Sequence, residues 1–165
     1  MMELGEMESH EGIAVMRALI DAARAMGSVM ASQSMLPHLA ERYGEVGQVE
    51  EGLALVAEAL EVIGNTRVRV LETEVNRVKG ELILARPSSD HEEAEACFHK
   101  AIDVARSQSA KFFELRAATM LARPWQDWGR RDEARELLAP VYGWFTEGFD
   151  TQDLKEAKAL LEELV

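Results

Sequence analysis

A stretch of this 165-residue chain repeats itself, and that constrains the fold more than any other feature. Tyr43 to Val56 reads YGEVGQVEEGLALV and Trp125 to Leu138 reads WQDWGRRDEARELL. In each, an aromatic is followed by a glycine (Gly47, Gly129), then a small residue (Gly52, Ala134), then a large aliphatic (Val56, Leu138). The offset is 82 residues, or two periods of about 41. A middle copy places Ala94, Phe98, Ala101 and Ile102 where the first has Gly52, Val56, Ala59 and Leu60. A partial copy upstream has Glu11-Gly12-Ile13-Ala14-Val15-Met16 echoing Glu51-Gly52-Leu53-Ala54-Leu55-Val56, 40 residues earlier.

Each copy reads as two helices. Leu36, Leu39, Tyr43 and Val46 are spaced three or four apart, one helical face. Gly44 and Gly47 then interrupt the pattern, and Val49, Leu53, Val56, Leu60 and Ile63 begin a second stripe that Gly64-Asn65 should end. The next pair runs through Val68, Leu71, Val75, Val78 and Leu82, then Ala94, Phe98, Ala101 and Ala105, with Ser89 and Glu92 as a capping box. The third pair spans Leu115 to Trp128 and Ala134 to Phe145. A last helix, Leu154 to Leu161, starts after Asp150-Thr151 and carries Lys155, Glu156, Glu162 and Glu163 outward, as the end of a stack should. Small residues at Gly52, Ala94 and Ala134 let paired helices approach closely, and each stripe needs a neighbour to bury it. Only 4 Pro and 11 Gly interrupt a chain rich in strong helix formers, so the expected class is all-α.

These residues resemble the tetratricopeptide repeat. Ala40, Tyr43, Gly47, Gly52 and Ala59 fall on that family's small, aromatic, glycine and alanine positions. Gly80, Ile83, Ala94 and Ala101 do so in the second copy, and Ala122, Trp125, Gly129, Ala134 and Val141 in the third. The resemblance covers about residues 10–165 and implies a right-handed α-solenoid of antiparallel helix pairs with a C-terminal capping helix. The expected organisation is a disordered segment 1–8, then one domain 9–165: a half repeat 9–30, repeats 33–66, 67–109 and 111–147, and a cap 151–165. Segments such as LAERYGEVGQVEEGLALVAEAL and GRRDEARELLAPVYGWFTEGFDTQDLKEAKALL are further similar to the C-terminal repeat region of bacterial multidomain regulators. In those proteins a cyclase-like or DNA-binding domain and a signalling ATPase precede the repeats. The present chain has no Walker-type loop, so the likeness implies the repeat portion without their catalysis. It departs from the pattern at Pro124 and Pro140, which should kink their helices, and at Val68-Arg69-Val70 and Asn76.

Acids outnumber bases 30 to 18, a net charge of −12, which disfavours nucleic-acid backbones as partners. No apolar run approaches the roughly 20 residues of a bilayer span. The acidic start, Met1-Met2-Glu3-Leu4-Gly5-Glu6, is no secretion signal, and the lone Cys97 suits a reducing compartment, so a cytoplasmic location is expected. His10, His38, His91 and His99 lack metal-ligand spacing, and the acid pairs Glu50-Glu51, Glu92-Glu93 and Glu162-Glu163 suit helix starts and outer faces. Cys97 reads as a buried structural thiol, and Tyr43, Trp125, Trp128, Tyr142, Trp144 and Phe145 as packing rather than base-stacking residues. No catalytic residue, metal or cofactor is expected.

The expected function is that of a non-catalytic scaffold. Glu41, Arg77, Glu81, Arg116, Thr119 and Arg123 should project from the first helix of each pair onto an inner wall that binds a protein or peptide, or a second copy of the chain. Pro37 and Glu41 replace the Lys and Asn by which related proteins clamp a C-terminal carboxylate, so that ligand is not expected. The alternative is a small-molecule effector sensor, with a pocket near Met120 and Trp125 opened by Pro124.

Overall fold

The structure, a computed structural model, describes the backbone of residues 4–66 and 69–165 and the side chains of residues 10–65 and 69–165. Val68 and residues 1–3 of the segment 1–8 lie outside the described residues. The described residues form eight helices and no strand: α1 (Leu4–Ala25), α2 (Val29–Glu45), α3 (Val49–Thr66), α4 (Glu72–Leu84), α5 (His91–Ser107), α6 (Lys111–Asp127), α7 (Arg131–Tyr142) and α8 (Gln152–Glu163).

The chain divides into two compact units, residues 1–94 and 95–165, with the boundary inside α5. In the first, α2 packs on α1, α3 and α4, and α3 also packs on α4. Its core is built from Ile13, Ile20, Leu36, Leu39, Tyr43, Val56, Val75, Val78 and Leu82. In the second, α6, α7 and α8 pack on one another and bury Leu115, Leu121, Trp125, Ala134, Leu138, Leu154 and Leu160.

One turn recurs four times. Gly27 (φ 70°), Gly47 (φ 76°), Ser109 (φ 55°) and Gly129 (φ 79°) all take the left-handed conformation just past a helix end. Each donates its N–H three residues back, and the next residue donates to the carbonyl five back: Ser28 to Ala23 (2.9 Å), Gln48 to Tyr43 (2.8 Å), Ala110 to Ala105 (2.9 Å), Arg130 to Trp125 (2.7 Å). This double bond satisfies carbonyls that a helix end leaves open, and glycine adopts the required φ without steric cost. Gly27 and Ser109, like Gly47 and Gly129, stand 82 positions apart, and so do the bounds of α2 and α6.

The small residue at Gly52 has the role its spacing suggests. A Cβ there would lie 2.8 Å from the Ala40 carbonyl oxygen and 3.0 Å from Leu82, so α2, α3 and α4 converge at that point. Other details differ from expectation. Helix α3 continues through Gly64 and Asn65 to Thr66. Asp90, not Ser89, caps α5: its carboxylate accepts the Glu93 N–H at 3.0 Å, where negative charge also suits the helix dipole. Pro124 and Pro140 sit within the last turn of α6 and α7, and the helices run through them.

Candidate functional site

Helix α4 is polar in sequence yet buried on every side along its first two turns, from Glu72 to Val78. The fold therefore encloses charged groups, and they pair with one another. Arg77, 1% exposed, lies at the centre of three carboxylates. Its Nη2 donates to Glu41 Oε1 of α2 at 3.1 Å and to Glu74 Oε2 at 3.0 Å, its Nε to Glu74 Oε2 at 3.2 Å, and its Nη1 to Glu81 Oε1 at 2.5 Å. The Glu74 and Glu81 bonds follow from i, i+3 and i, i+4 spacing on one helix, and the Glu41 bond ties α4 to α2. Burial works against the guanidinium charge, but Glu81, Glu74 and Glu41 more than offset it, and Arg77 is held above its ordinary range. Burial likewise pushes the Glu81 carboxyl up, only partly countered by Arg77. Glu41 and Glu81 keep 30% and 27% of their side chains in solvent, so the cluster has a wet rim and a dry floor.

The second unit holds the other three expected contact residues, all on α6, and ties two of them to α8. Arg116 Nε is 3.2 Å from Asp153, and Arg123 Nη2 donates to Glu156 at 2.9 Å. Thr119 is buried and donates back to the Leu115 carbonyl of its own helix at 2.8 Å. Of the six residues, then, Glu41, Arg77 and Glu81 form one cluster, Arg116 and Arg123 join α6 to α8, and Arg77 and Thr119 have no surface to offer a partner. The spacing rules that place a residue on a helix face do not register when a neighbouring helix brings its own acid to cover it.

Two arrangements were not read from the sequence. Glu114, 3% exposed, accepts from Arg106 Nε at 2.8 Å and from Lys111 Nζ at 2.7 Å. Burial raises its carboxyl, but Lys111 and Arg106 outweigh that and hold it below the usual carboxylate range. The signal was an acid in the first turn of α6 beside a Lys three residues back. The second is around Trp125. Arg130 stacks 4.2 Å from the ring centre and also binds Glu95 (2.8 Å) and Glu133 (2.6 Å), while His99 lies 5.8 Å away. Burial raises Glu95, and the hydrogen bonds and charge of Arg130 overcome it and lower the group. Tyr43 is covered comparably by Arg17 at 5.3 Å. Tyr43 and Trp125 are packed and their cations engaged, whereas Trp144, expected as a packing residue, is 58% exposed. Cys97 is buried.

The first unit also contains an apolar cavity of about 350 Å³ among α2, α3 and α4. Val29, Met30, Ala59, Ile63, Leu71 and Val75 line it, with Gln33 as its polar group. It lies far in sequence from Met120 and Trp125, where the alternative reading looked.

Among the described residues no group of His, Cys, Asp and Glu is arranged to hold a metal ion, and no helix is long and apolar enough to cross a membrane. No family model matches the chain, and no curated protein matches it at a significant level.

Proposed function

We propose that this protein is a non-catalytic helical-repeat scaffold of tetratricopeptide type, a right-handed solenoid of antiparallel helix pairs, that binds a protein or peptide in a bacterial regulatory setting in the cytoplasm. The observation that carries this reading is the left-handed turn repeated at Gly27, Gly47, Ser109 and Gly129 with one hydrogen-bond pattern, together with the close approach at Gly52. Repeated hairpins held by one turn build a rigid surface, and a preorganised surface loses little ordering entropy on binding. Glu41 and Glu81 would meet the partner in one unit and Arg116 and Arg123 in the other, with Arg77 and Thr119 fixing them from below. Affinity capture with quantitative mass spectrometry tests this. The double variants Glu41→Gln/Glu81→Gln and Arg116→Gln/Arg123→Gln should each lose a partner that the parent retains. Identical capture by all three would remove these residues from the interface. Binding through exposed charges should also weaken with salt.

A second reading rests on the cavity. Its size and apolar lining suit a small hydrophobic effector, oriented by Gln33. A thermal-shift screen of apolar metabolites tests it: a hit should raise the melting temperature of the parent and leave Ala59→Leu, which fills the cavity, unmoved.

A further inference from the structure

Helices α1 and α3 both pack on α2, and between them lies a groove with a cavity of about 270 Å³. Its floor is apolar: Ile20, Leu36 and Leu39 are buried and Leu55 is half-buried. Its three charged groups, Arg17, Asp21 and Arg24, follow one another at i, i+4 and i+7, in a row along one face of α1. The row does not pair off within itself. Arg24 bridges to Glu58 of α3 and so spans one end of the groove. Asp21 sits 3.7 Å from Arg24, and 75% of its side chain remains in solvent. Arg17 lies 5.3 Å from the centre of the Tyr43 ring, and among the described residues no carboxylate pairs with it. A guanidinium held over a ring keeps its N–H donors for another partner. The groove thus sets an uncompensated cation and a solvated acid, one helical turn apart, over an apolar floor.

We propose that this groove binds a free α-amino acid with an aliphatic side chain of about the size of leucine. Arg17 takes the α-carboxylate through its N–H donors, Asp21 accepts from the α-ammonium, and the side chain lies on Ile20, Leu36, Leu39 and Leu55. Charge complementarity selects this class. A simple carboxylate would set its charge beside Asp21, and a simple amine would meet Arg17 and Arg24 while leaving Arg17 uncompensated. A zwitterion answers both groups at once, and its two charges are adjacent, as are residues one helical turn apart. The end of a peptide carries only one of the two charges, so the free amino acid fits where a terminus does not. Size points the same way. At roughly 30 Å³ for each water-sized group, the cavity takes about nine non-hydrogen atoms, which suits leucine or isoleucine and is too small for tryptophan. A chain carrying −12 repels a small anion but not a neutral zwitterion. The inference depends on neither reading given above: the groove lies apart from the Arg77 cluster and shares no lining residue with the cavity at Ala59.

Isothermal titration calorimetry of the full chain with L-leucine, up to about 10 mM to cover the weak affinity of so small a ligand, tests the proposal. Saturable binding of one leucine per chain is expected. N-acetyl-L-leucine and L-leucinamide, which each lack one charge and mimic the two ends of a peptide, should bind about tenfold more weakly or less, as should L-glutamate, which brings an acid to the apolar floor. Arg17→Gln and Asp21→Asn should each lower leucine affinity by about tenfold with unchanged helical circular dichroism. Asp21 is largely in solvent, so its variant keeps the test intact if Arg17→Gln, which loses its contact with Tyr43, does not fold. Ala59→Leu, which fills the other cavity, should leave leucine binding unchanged. The proposal is overturned if leucine does not bind, if binding is indifferent to Asp21→Asn, if Ala59→Leu abolishes it, or if N-acetyl-L-leucine binds as well as leucine. The last result would assign the groove to the C-terminus of a peptide.

Discussion

The two units share the turn at Gly47 and Gly129 and bury opposite charge. In residues 1–94 a cation, Arg77, is enclosed by Glu41, Glu74 and Glu81. In residues 95–165 an acid, Glu114, is enclosed by Arg106 and Lys111. The junctions between corresponding helices are inverted as well. Glu41 of α2 reaches Arg77 of α4, whereas Arg123, 82 positions beyond Glu41, reaches Glu156 of α8. The recurring turn therefore leaves the sign of the interior charge free, provided that each charge finds its complement. The two also differ in how dry they are: Arg77 is 1% exposed, while Arg106 and Lys111 keep 51% and 35% of their side chains in water.

Arg77→Met is the most severe test of that contrast. It strands three carboxylates around a dry centre, and breaking a buried ion pair from one side costs roughly 3–5 kcal/mol. Urea unfolding followed by circular dichroism should show that loss near pH 7. The deficit should shrink toward pH 4.5 and below, as the stranded acids take up protons. Even in the parent, burial raises Glu81 above its ordinary 4.5, so its contribution is fully present below that value and is lost as the pH rises through its folded value. A variant of near-parental stability would mean that Arg77 is not the centre of the cluster.

Gly52→Ala asks whether the close approach is as tight as the packing at Arg77. Alanine should gain up to about 1 kcal/mol of helix propensity. Its Cβ, however, would lie 2.8 Å from a backbone oxygen, so we expect a net loss of about 1–2 kcal/mol from overpacking. Gly12→Ala, with open space around it, should keep the propensity gain. Thermal melts of both variants check the pair, and equal shifts would erase the distinction.

The helices, the turn at Gly47 and Gly129 and the crossing at Gly52 were legible because they depend on residue type at fixed local spacing. The ionic interior was not. Glu41 and Arg77 lie 36 residues apart and meet only after α2 and α4 pack. Helix α4 hides its burial because the Arg77 charge is paired with Glu41, Glu74 and Glu81, which no hydropathy pattern records. Arg77 and Thr119 were legible as lying on a helix face, but not as facing inward.

Acid should separate the units. Glu114 is held below its ordinary 4.5, so the stability it contributes is present above that value and is lost as the pH falls through its folded value. Glu81 moves in the other direction. All three tryptophans, Trp125, Trp128 and Trp144, lie in the second unit, so their emission reports on it alone. On acidification tryptophan emission should change ahead of the overall helical signal, and Glu114→Gln should remove about 1–2 kcal/mol near pH 7, as expected for a charge-assisted hydrogen-bond pair. Coincident transitions would show that the inverted charge has no consequence for stability.

The smallest effect concerns the turn that both units use. Three of its four places hold glycine; the fourth is Ser109, at φ 55°. A side chain in the left-handed region is strained by roughly 1 kcal/mol, whereas glycine is not. Glycine also costs more entropy to order, which takes back part of the gain. Ser109→Gly should therefore stabilise the protein by about half a kcal/mol, seen as a small rise in the urea midpoint. Gly27→Ser, the reciprocal change 82 positions earlier, should lower it by a similar amount. If the two substitutions shift the midpoint in the same direction, the turns are not equivalent, and the likeness between the two units fails at the place where it is simplest to state.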